Sequence, residues 1–320
     1  MRQIIKRTLI YFLLLILVSF ALPRIIPGNP LYYFSGDHSV EEKPELMQRL
    51  KDEHGLGEPL GVQFRLYLSK LLRLDLGKSF YFKTSVADKI WPAAVWTLLI
   101  AFPSIAISLY LGLELGINLV MHEGRKGPAL LSVLLAYQAI PSFLLACLAQ
   151  LFFCYKLKWF PASGAYSVGM RWGDAGYIGD VLRHLFLPLL ISTTAATPST
   201  ALLAYNASKH CKKQSYVRFA IYQNLDATSI NDFYIKKNIL PEILGKINIQ
   251  IMTCLSGSLF VEAIFSYPGL GTLMYNASVW RDYPLLQGLL LVSCSFGIIV
   301  NAISEIILNR MTLHELMPNA

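Results

Sequence analysis

The chain has 320 residues, of which 54% are hydrophobic and 15% are charged, and its formal net charge is +8. Soluble domains carry charge on about a quarter of their residues, so the composition argues against a soluble domain and indicates a lipid environment. The basic charge comes without a dense basic tract or a stacking platform, which argues against a nucleic-acid partner. A membrane protein whose inner loops collect Lys and Arg explains the excess.

Six apolar segments are long enough to cross a bilayer, which takes roughly 20 residues of helix. The sequence therefore predicts an all-α membrane protein with spans at 8–26, 95–121, 129–155, 185–205, 247–267 and 284–308. The first segment also has the basic start of a signal peptide. Because five more spans follow and "ALPRII" is a poor cleavage site, we predict an uncleaved helix.

Lys and Arg in the short loops predict the orientation of these spans. With the N-terminus in the cytoplasm, the inner loops hold 13 such residues and the short outer loops hold five. The loop 27–94 is then external, and its stretch "VEEKPELMQRLKDEHGL" has the spacing of an amphipathic helix. The loop 206–246 and the C-terminus are then cytoplasmic.

No catalytic, cofactor or metal site is predicted on this chain, so we do not expect an enzyme. "LGKSF" ends like a phosphate-binding loop, but the glycine required five residues before Gly77 is replaced by Leu72. The six histidines are scattered over both sides, and we expect them to be solvated or interfacial; His184, at the outer mouth of the fourth span, merits inspection. We expect the cysteines to be small apolar packing residues; they are Cys147, Cys154, Cys211, Cys254 and Cys294.

Three acidic residues fall inside predicted spans, where ionisable groups are candidates for function. Glu305 lies near the inner end of the sixth span and is predicted to be structural. Glu262 is predicted to order the turn that follows it or to cap nearby amides. Glu114 is either a proton or cation site or an acid paired with a hydroxyl group. Gly112 and Gly116 flank it in a GxxxG pattern, which lets another helix approach closely.

The stretch "KKQSYVRFAIYQNLDATSINDFYIKKNILPEI", residues 212–243, is the most informative loop. Its helical spacing predicts two neighbouring stripes of side chains. One stripe contains Tyr216, Phe219, Ala220 and Gln223, and the other contains Val217, Ala220, Ile221 and Leu225. A short helix with exposed aromatic residues needs a cover. Lipid headgroups, the protein's own helices and a soluble partner are all possible covers.

Several motifs resemble those of ABC-transporter permeases of the dipeptide/oligopeptide/nickel import family, and specifically the first, B-type subunit. The matching runs are "IIPGNP", "HGLGEPLGVQF", "LDLGKSF", "FPASG", "LRHLFLP", "EAIFSYPGLGTLMYNASVWRDYPLLQG" and "VNAISEIILNRM". The resemblance covers nearly the whole length. It implies one permease domain over 1–320 with the six-helix fold of type I importers.

The loop 206–246 resembles the family's "EAA" coupling loop, whose short helix lies in a cleft of the ATPase subunit. The family pattern is approximately D-Y-x-R-x-A-x-A-x-G-L, and the resemblance implies a coupling helix made by Tyr216, Val217, Arg218, Phe219, Ala220, Ile221, Asn224 and Leu225. Two positions depart from the pattern, because Tyr222 replaces the second alanine and Asn224 replaces the glycine. Asn tolerates positive φ, so we expect a left-handed turn at Asn224.

The resemblance implies an ATP-driven importer of peptides or a related small solute in the bacterial cytoplasmic (inner) membrane. Its partners would be a second, C-type permease, two ATP-binding cassette subunits and an external substrate-binding protein. Hydroxyl groups of the fourth and fifth spans either line the solute path or bond their own helix carbonyls; they are Thr194, Thr197, Thr200, Thr253 and Ser256. We expect Tyr216→Asp, or Arg218→Glu with Ala220→Glu, to leave insertion intact and release the ATPase.

An ion-coupled secondary transporter that uses Glu114 is the alternative function. It would work without an ATPase and would contain inverted internal repeats. It assigns no role to residues 212–243.

Overall fold

The structure, a computed structural model, describes residues 2–25, 57–121, 126–245, 251 and 258–316. The helices in these residues are α1 (Arg2–Ile25), α2 (Leu60–Leu72), α3 (Val86–Met121), α4 (Lys126–Gln138), α5 (Ser142–Ala149), α6 (Tyr177–Cys211), α7 (Ser215–Tyr222), α8 (Ala227–Ser229), α9 (Lys237–Gly245), α10 (258–264), α11 (Leu270–Val279) and α12 (Tyr283–Leu316). A π-helical segment, Gln150–Lys156, follows α5, and another, Ile230–Lys236, follows α8.

Four helices of the described ranges are long and apolar enough to cross a membrane. They contain the segments Gln3–Ala21, Val86–Met121, Tyr177–Cys211 and Tyr283–Ile306. The all-α membrane class predicted from the sequence is therefore confirmed, with four to five candidate spans in the part of the chain that the structure describes. Residues 247–250 and 252–257 of the predicted fifth span, 247–267, lie outside the described residues, whereas 258–264 is helical.

The predicted third span, 129–155, is broken in its middle. Ala129–Gln138 and Ser142–Lys156 are both apolar, but they meet at an angle of 89° and count as one span only if taken together. Pro141 separates them with φ −59° and ψ 136°. Proline has no N–H to donate and disfavours a helical residue before it, so the break has a local cause that hydropathy does not register.

Several helices extend beyond the apolar segments from which the spans were predicted. α3 begins at Val86 rather than at residue 95, and α6 covers Tyr177–Cys211 rather than 185–205. The predicted external loop 27–94 is correspondingly shorter, and it contains α2. The amphipathic helix predicted within residues 40–56 lies outside the described residues.

The chain divides into two compact units, the first of which comprises residues 1–95 and 272–306. Within it, the Ser79 hydroxyl donates to the Asp282 carboxylate, which also accepts from the Tyr81 amide at 3.0 Å. The Tyr81 ring stacks on Trp280 with centroids 3.8 Å apart. "LGKSF" thus lies in a turn that the Asp282 carboxylate holds through hydrogen bonds, and Gly77 in this turn has φ +83°.

The first unit also explains Glu305, whose carboxylate forms an ion pair with Arg7. Arg7 lies near the start of α1 and Glu305 near the end of the apolar part of α12. The contact joins two helices, as expected for a structural acid.

The second unit comprises residues 96–271 and 307–320. Its main apolar cluster joins α3, α6 and the segment after α6 through Leu113, Ile117, Ala204, Ala207, Cys211, Val217, Ala220, Ile230, Ile235, Ile239 and Ile243. A second cluster joins α5, α6 and α10 through Ala146, Ala149, Cys154, Leu187, Ile191, Val261 and Phe265. The burial of Cys154 and Cys211 agrees with their predicted packing role, whereas Cys294 is exposed.

Candidate coupling site

The predicted coupling helix is present as α7, Ser215–Tyr222. A turn at Lys212–Gln214 separates it from α6, and Gln214 is extended, with φ −69° and ψ 148°. The chain therefore changes direction where the long helix ends. A helix this short is not stable alone in water, so its stability must come from what it packs against.

The C-terminal end of α7 closes in a Schellman motif. Asn224 has φ +56°, as the sequence predicts. Its amide donates to the Ile221 carbonyl at 3.0 Å, and the Leu225 amide donates to the Ala220 carbonyl at 3.3 Å. This pair of bonds satisfies carbonyls that the helix end would otherwise leave without a partner. Asn224 thus does the conformational work of the family's glycine.

The two faces of α7 differ sharply in exposure. Val217 and Ala220 are 0% and 1% exposed and belong to the main cluster of the second unit. Phe219 is 63% exposed and Tyr222 is 82% exposed. Phe219 and Tyr222 are thus the most exposed large apolar side chains of α7.

This distribution corrects the two stripes inferred from spacing. Ala220, placed on both stripes, faces the protein's own core, as does Val217. Tyr216, Ile221 and Leu225 are partly covered. Of the predicted coupling residues, Val217 and Ala220 therefore anchor the helix and cannot contact a partner. The departure Tyr222, in contrast, is the most exposed aromatic side chain of α7.

The residues after α7 form a second layer of the site. The Asp226 carboxylate caps α8 by accepting from the Ser229 amide at 3.0 Å and the Thr228 hydroxyl at 2.7 Å. These hydrogen bonds lower the pKa of Asp226 to about 2. Ile230 and Ile235 then enter the main cluster, so this layer packs on the same core as α7.

Polar contacts fasten this segment to the long helices. The Tyr216 hydroxyl lies 3.3 Å from the Cys211 sulfur, and this contact raises the pKa of Tyr216 to about 12. The Lys212 ammonium donates to the Val120 carbonyl at 3.3 Å, near the end of α3. A cation favours the C-terminal end of a helix, where carbonyls are unpaired.

Glu114 has a partner that the sequence did not predict. Its carboxylate pairs with the ammonium of Lys236, at the end of the π-helical segment Ile230–Lys236. A lysine thus stands where one of the two sequence alternatives placed a hydroxyl group. The two residues are 122 positions apart, and neither hydropathy nor local spacing signals a contact of that kind.

The GxxxG prediction around Glu114 is confirmed. A Cβ atom added at Gly116 would lie 2.5 Å from the Ala204 Cβ, and one at Gly112 would lie 2.5 Å from the Thr200 Cβ. Both neighbours are on α6. Small residues let helix backbones approach closely, so α3 and α6 pack tightly immediately beside the Glu114–Lys236 pair.

Glu262 orders its turn, as predicted. It is 0% exposed, and its carboxylate accepts from the Gly271 amide at 2.7 Å and from the Thr97 hydroxyl at 3.1 Å. The Thr97 hydroxyl oxygen also accepts from the Leu270 amide at 2.8 Å. A Cβ at Gly269 would lie 2.2 Å from the carboxylate, so the run "SYPGLG" is folded closely around this acid.

Gln150 is a structural residue that the sequence analysis missed. Its amide donates to the Ala162 carbonyl at 2.8 Å and to the Ile264 carbonyl at 3.0 Å. It thus ties "FPASG" to the end of α10. The signal in the sequence that could have indicated this role was a single glutamine within the apolar run 129–155.

Two of the hydroxyl candidates bond their own helix, whereas the buried Thr200 hydroxyl has no hydrogen-bond partner among the described residues. The Thr194 and Thr197 hydroxyls donate to the carbonyls of Ile191 and Thr193 in their own helix, and Thr253 and Ser256 lie outside the described residues. His184 is buried rather than solvated, with Nδ1 2.9 Å from the Asp180 carbonyl oxygen. Across the described ranges, no three His, Cys, Asp or Glu side chains form a group able to hold a metal ion.

Long apolar helices with a short, aromatic-faced helix between them place the chain in the class of multi-pass membrane proteins. The chain belongs to the family described as the binding-protein-dependent transport system inner membrane component, whose model matches residues 104–312. The resemblance inferred from the motifs is thereby confirmed. The matched region contains α6, α7 and α11, the second half of α3 and most of α12.

Relatives of similar length support this assignment. A putative peptide transport system permease protein of Brucella abortus is 28% identical over 296 residues, which cover 92% of this chain and 91% of the relative. A di/tripeptide transport system permease protein of Pseudomonas aeruginosa is 27% identical over 306 residues, covering 91% and 90%. A dipeptide transport system permease protein of Alkalihalophilus pseudofirmus is 25% identical over 306 residues, covering 91% of each chain.

Proposed function

We propose that this chain is a membrane-spanning permease subunit of an ATP-driven importer of dipeptides or other short peptides. It forms the solute path with a second permease and receives solute from an external substrate-binding protein. Two ATP-binding cassette subunits supply the energy. The family assignment and the peptide-permease names of the relatives support this proposal.

The observation that carries the proposal is the split between the two faces of α7. Its inner face is fixed in the core by Val217 and Ala220, while Phe219 and Tyr222 remain uncovered. Exposed aromatic residues on a rigid support are typical of anchors that enter a pocket on another protein. In this proposal, the outer face of α7 docks in the ATPase subunit.

The same proposal places both termini and residues 206–246 in the cytoplasm. The excess of Lys and Arg in the predicted inner loops supports this orientation. The ion pair between Arg7 and Glu305 is compatible with it, because it joins the start of α1 to the end of α12. No observation favours the ion-coupled alternative, and Glu114, which that alternative needs, pairs with Lys236.

The test is recovery of the ATPase subunits with variants of the exposed face. The chain is co-expressed with its neighbouring genes, purified in detergent and assayed for bound ATPase chains and for ATP hydrolysis. We expect Phe219→Asp with Tyr222→Asp to insert and fold normally but to lose the ATPase, because a carboxylate in an apolar pocket is costly. Phe233→Asp is the matched control: Phe233 is 70% exposed on the same segment but lies outside α7.

Retention of the ATPase by the Phe219 and Tyr222 double variant would refute docking through α7. Ala220→Glu, which the sequence favoured as a probe, is unsuitable because Ala220 is 1% exposed. A glutamate there would disturb the core and report on folding instead of docking.

A further inference from the structure

The contact between Lys236 and Glu114 joins the segment after α7 directly to α3. The Lys236 ammonium donates to the Glu114 carboxylate, and Asp232 lies 3.7 Å from the same ammonium. The hydrogen bond to Glu114 raises the pKa of Lys236. The side chains of Lys236 and Glu114 are 30% and 33% exposed, so the pair is neither buried nor fully solvated.

The surroundings of Glu114 indicate that the ion pair is not needed merely to hold α3 and the loop together. Glu114 lies seven residues before Met121, the last residue of α3, which corresponds to roughly 10 Å along the helix. Leu113 and Ile117 flank it and pack in the same cluster as Ile235, beside Lys236. Apolar burial alone therefore already holds α3 against the segment Ile230–Lys236. The ion pair must contribute something besides attraction between them.

What the ion pair adds is a fixed register. Apolar contacts are non-directional, so they do not by themselves specify which position of α3 lies beside which position of the loop. A hydrogen-bonded charge pair relates one position of α3 to one position of the loop. Being one-third exposed, it can also break and re-form without leaving a charge buried and unpaired.

Movement of α7 has a physical route to this pair. Val217 and Ala220 of α7 share the main cluster with Ile235, so a displacement of α7 carries the segment that ends at Lys236. The close packing at Gly116 then relates α3 to α6. The chain of contacts is continuous within the second unit.

We propose that the Glu114–Lys236 ion pair is a positioning contact that transmits displacement of the coupling helix to α3 during transport. This inference rests on the proposed function, in which the ATPase moves α7. A transmitting contact must differ between the two states of the transporter, otherwise nucleotide has no means of biasing α3.

Charge reversal tests the pair in the complete transporter. The chain and its partner subunits are reconstituted in proteoliposomes with radiolabelled di-alanine as the probe, and both ATP hydrolysis and uptake are measured. We expect Glu114→Lys and Lys236→Glu each to lower uptake per ATP hydrolysed on the order of tenfold, a usual size for coupling between sites. We expect the two reversals combined to restore most of the loss. Lys237→Glu is the control, since Lys237 is the exposed neighbour.

Unchanged uptake per ATP in both single variants would overturn the inference, as would a double variant no better than the worse single one. A wild-type complex that assembles no ATPase and takes up no peptide would instead refute the proposed function.

A second measurement needs neither partner nor solute. In the isolated chain, Lys236→Met should speed amide hydrogen exchange of residues 230–236 while leaving α6 unchanged, because the segment loses its register on α3. Unchanged exchange in 230–236 would show that the pair holds nothing in place, and would overturn the inference even if the charge-reversed chains failed to assemble.

Discussion

Two acidic residues tie other segments to α3, and they do so in opposite ways. Glu262 is fully buried, and its carboxylate accepts hydrogen bonds from two neutral donors, the Thr97 hydroxyl and the Gly271 amide. Glu114 is one-third exposed and pairs with Lys236, at the end of the segment Ile230–Lys236 that follows α7. Thr97 and Glu114 are 17 residues apart, about 25 Å along one helix.

The difference in burial between these two contacts indicates which part of α3 is held more rigidly. Removing a partner from a buried, hydrogen-bonded carboxylate exposes its full desolvation cost, so the contact at Glu262 does not open without loss of the fold. An exposed ion pair contributes only about 0.2–1 kcal/mol and breaks readily. The Glu262 turn therefore fixes α3 near Thr97, whereas the Glu114 contact permits movement.

The largest effect is expected at the buried acid. Glu262→Ala leaves the Gly271 amide and the Thr97 hydroxyl without their acceptor and opens a cavity, which should cost about 2–4 kcal/mol of unfolding free energy. Thermal unfolding in detergent measures it. Glu262→Gln, which keeps one acceptor oxygen, should lose less; equal loss in both variants would mean that the negative charge is what matters.

A smaller loss is expected where α3 meets α6. Gly116→Ala places a Cβ 2.6 Å from the Ala201 carbonyl oxygen, so the helices must separate, at a cost of about 1–3 kcal/mol. Gly61→Ala is the matched control, because nothing lies within 4 Å of its added Cβ and alanine favours a helix. If Gly116→Ala unfolds at the same temperature as Gly61→Ala, the close approach is not required.

The end of α7 should be less sensitive still. Asn224→Val forces a β-branched residue into positive φ and should destabilise the segment by about 1–2 kcal/mol, whereas Asn224→Gly should be neutral or slightly stabilising. Hydrogen exchange of the Leu225 amide reports this directly. Slower or equal exchange in the valine variant would contradict the role assigned to the turn.

The Lys236 contact should be insensitive to pH in the ordinary range. A lysine whose folded pKa is raised contributes stability that is fully present below its unfolded pKa, near 10.4, and is lost only as pH rises through the higher folded value. Between pH 6 and 9, the opening free energy of residues 230–236 should therefore be constant after correction for intrinsic exchange rates. A marked decline within that window would show that another group controls the segment.

Much of the architecture could be predicted from the sequence because the signal is local. Apolar length identified the membrane class, and "LGLELGINL" predicted the close helix contact. Asn at the glycine position of the family pattern predicted the left-handed turn at Asn224. Each of these depends on a few consecutive residues or on a fixed helical period.

Contacts between distant residues were not predictable in the same way. The sequence placed Ala220 on both stripes of the short helix without saying which side meets the core, because spacing identifies which residues share a face but not what that face contacts. The 89° break at Pro141 was hidden in an uninterrupted apolar run. Gln150, a lone amide in that run, had no visible purpose until its two carbonyl acceptors were known.

The sequence by itself indicated a membrane-spanning chain with a short amphipathic helix between long apolar segments, because composition and helical period carry both signals. Its motifs also resembled those of a permease family. Only the tertiary structure decided that Phe219 and Tyr222 remain uncovered, and that Glu114 pairs with Lys236. Both depend on which surfaces meet when α3, α6 and the coupling segment bury a common apolar core, and a linear pattern does not contain that choice.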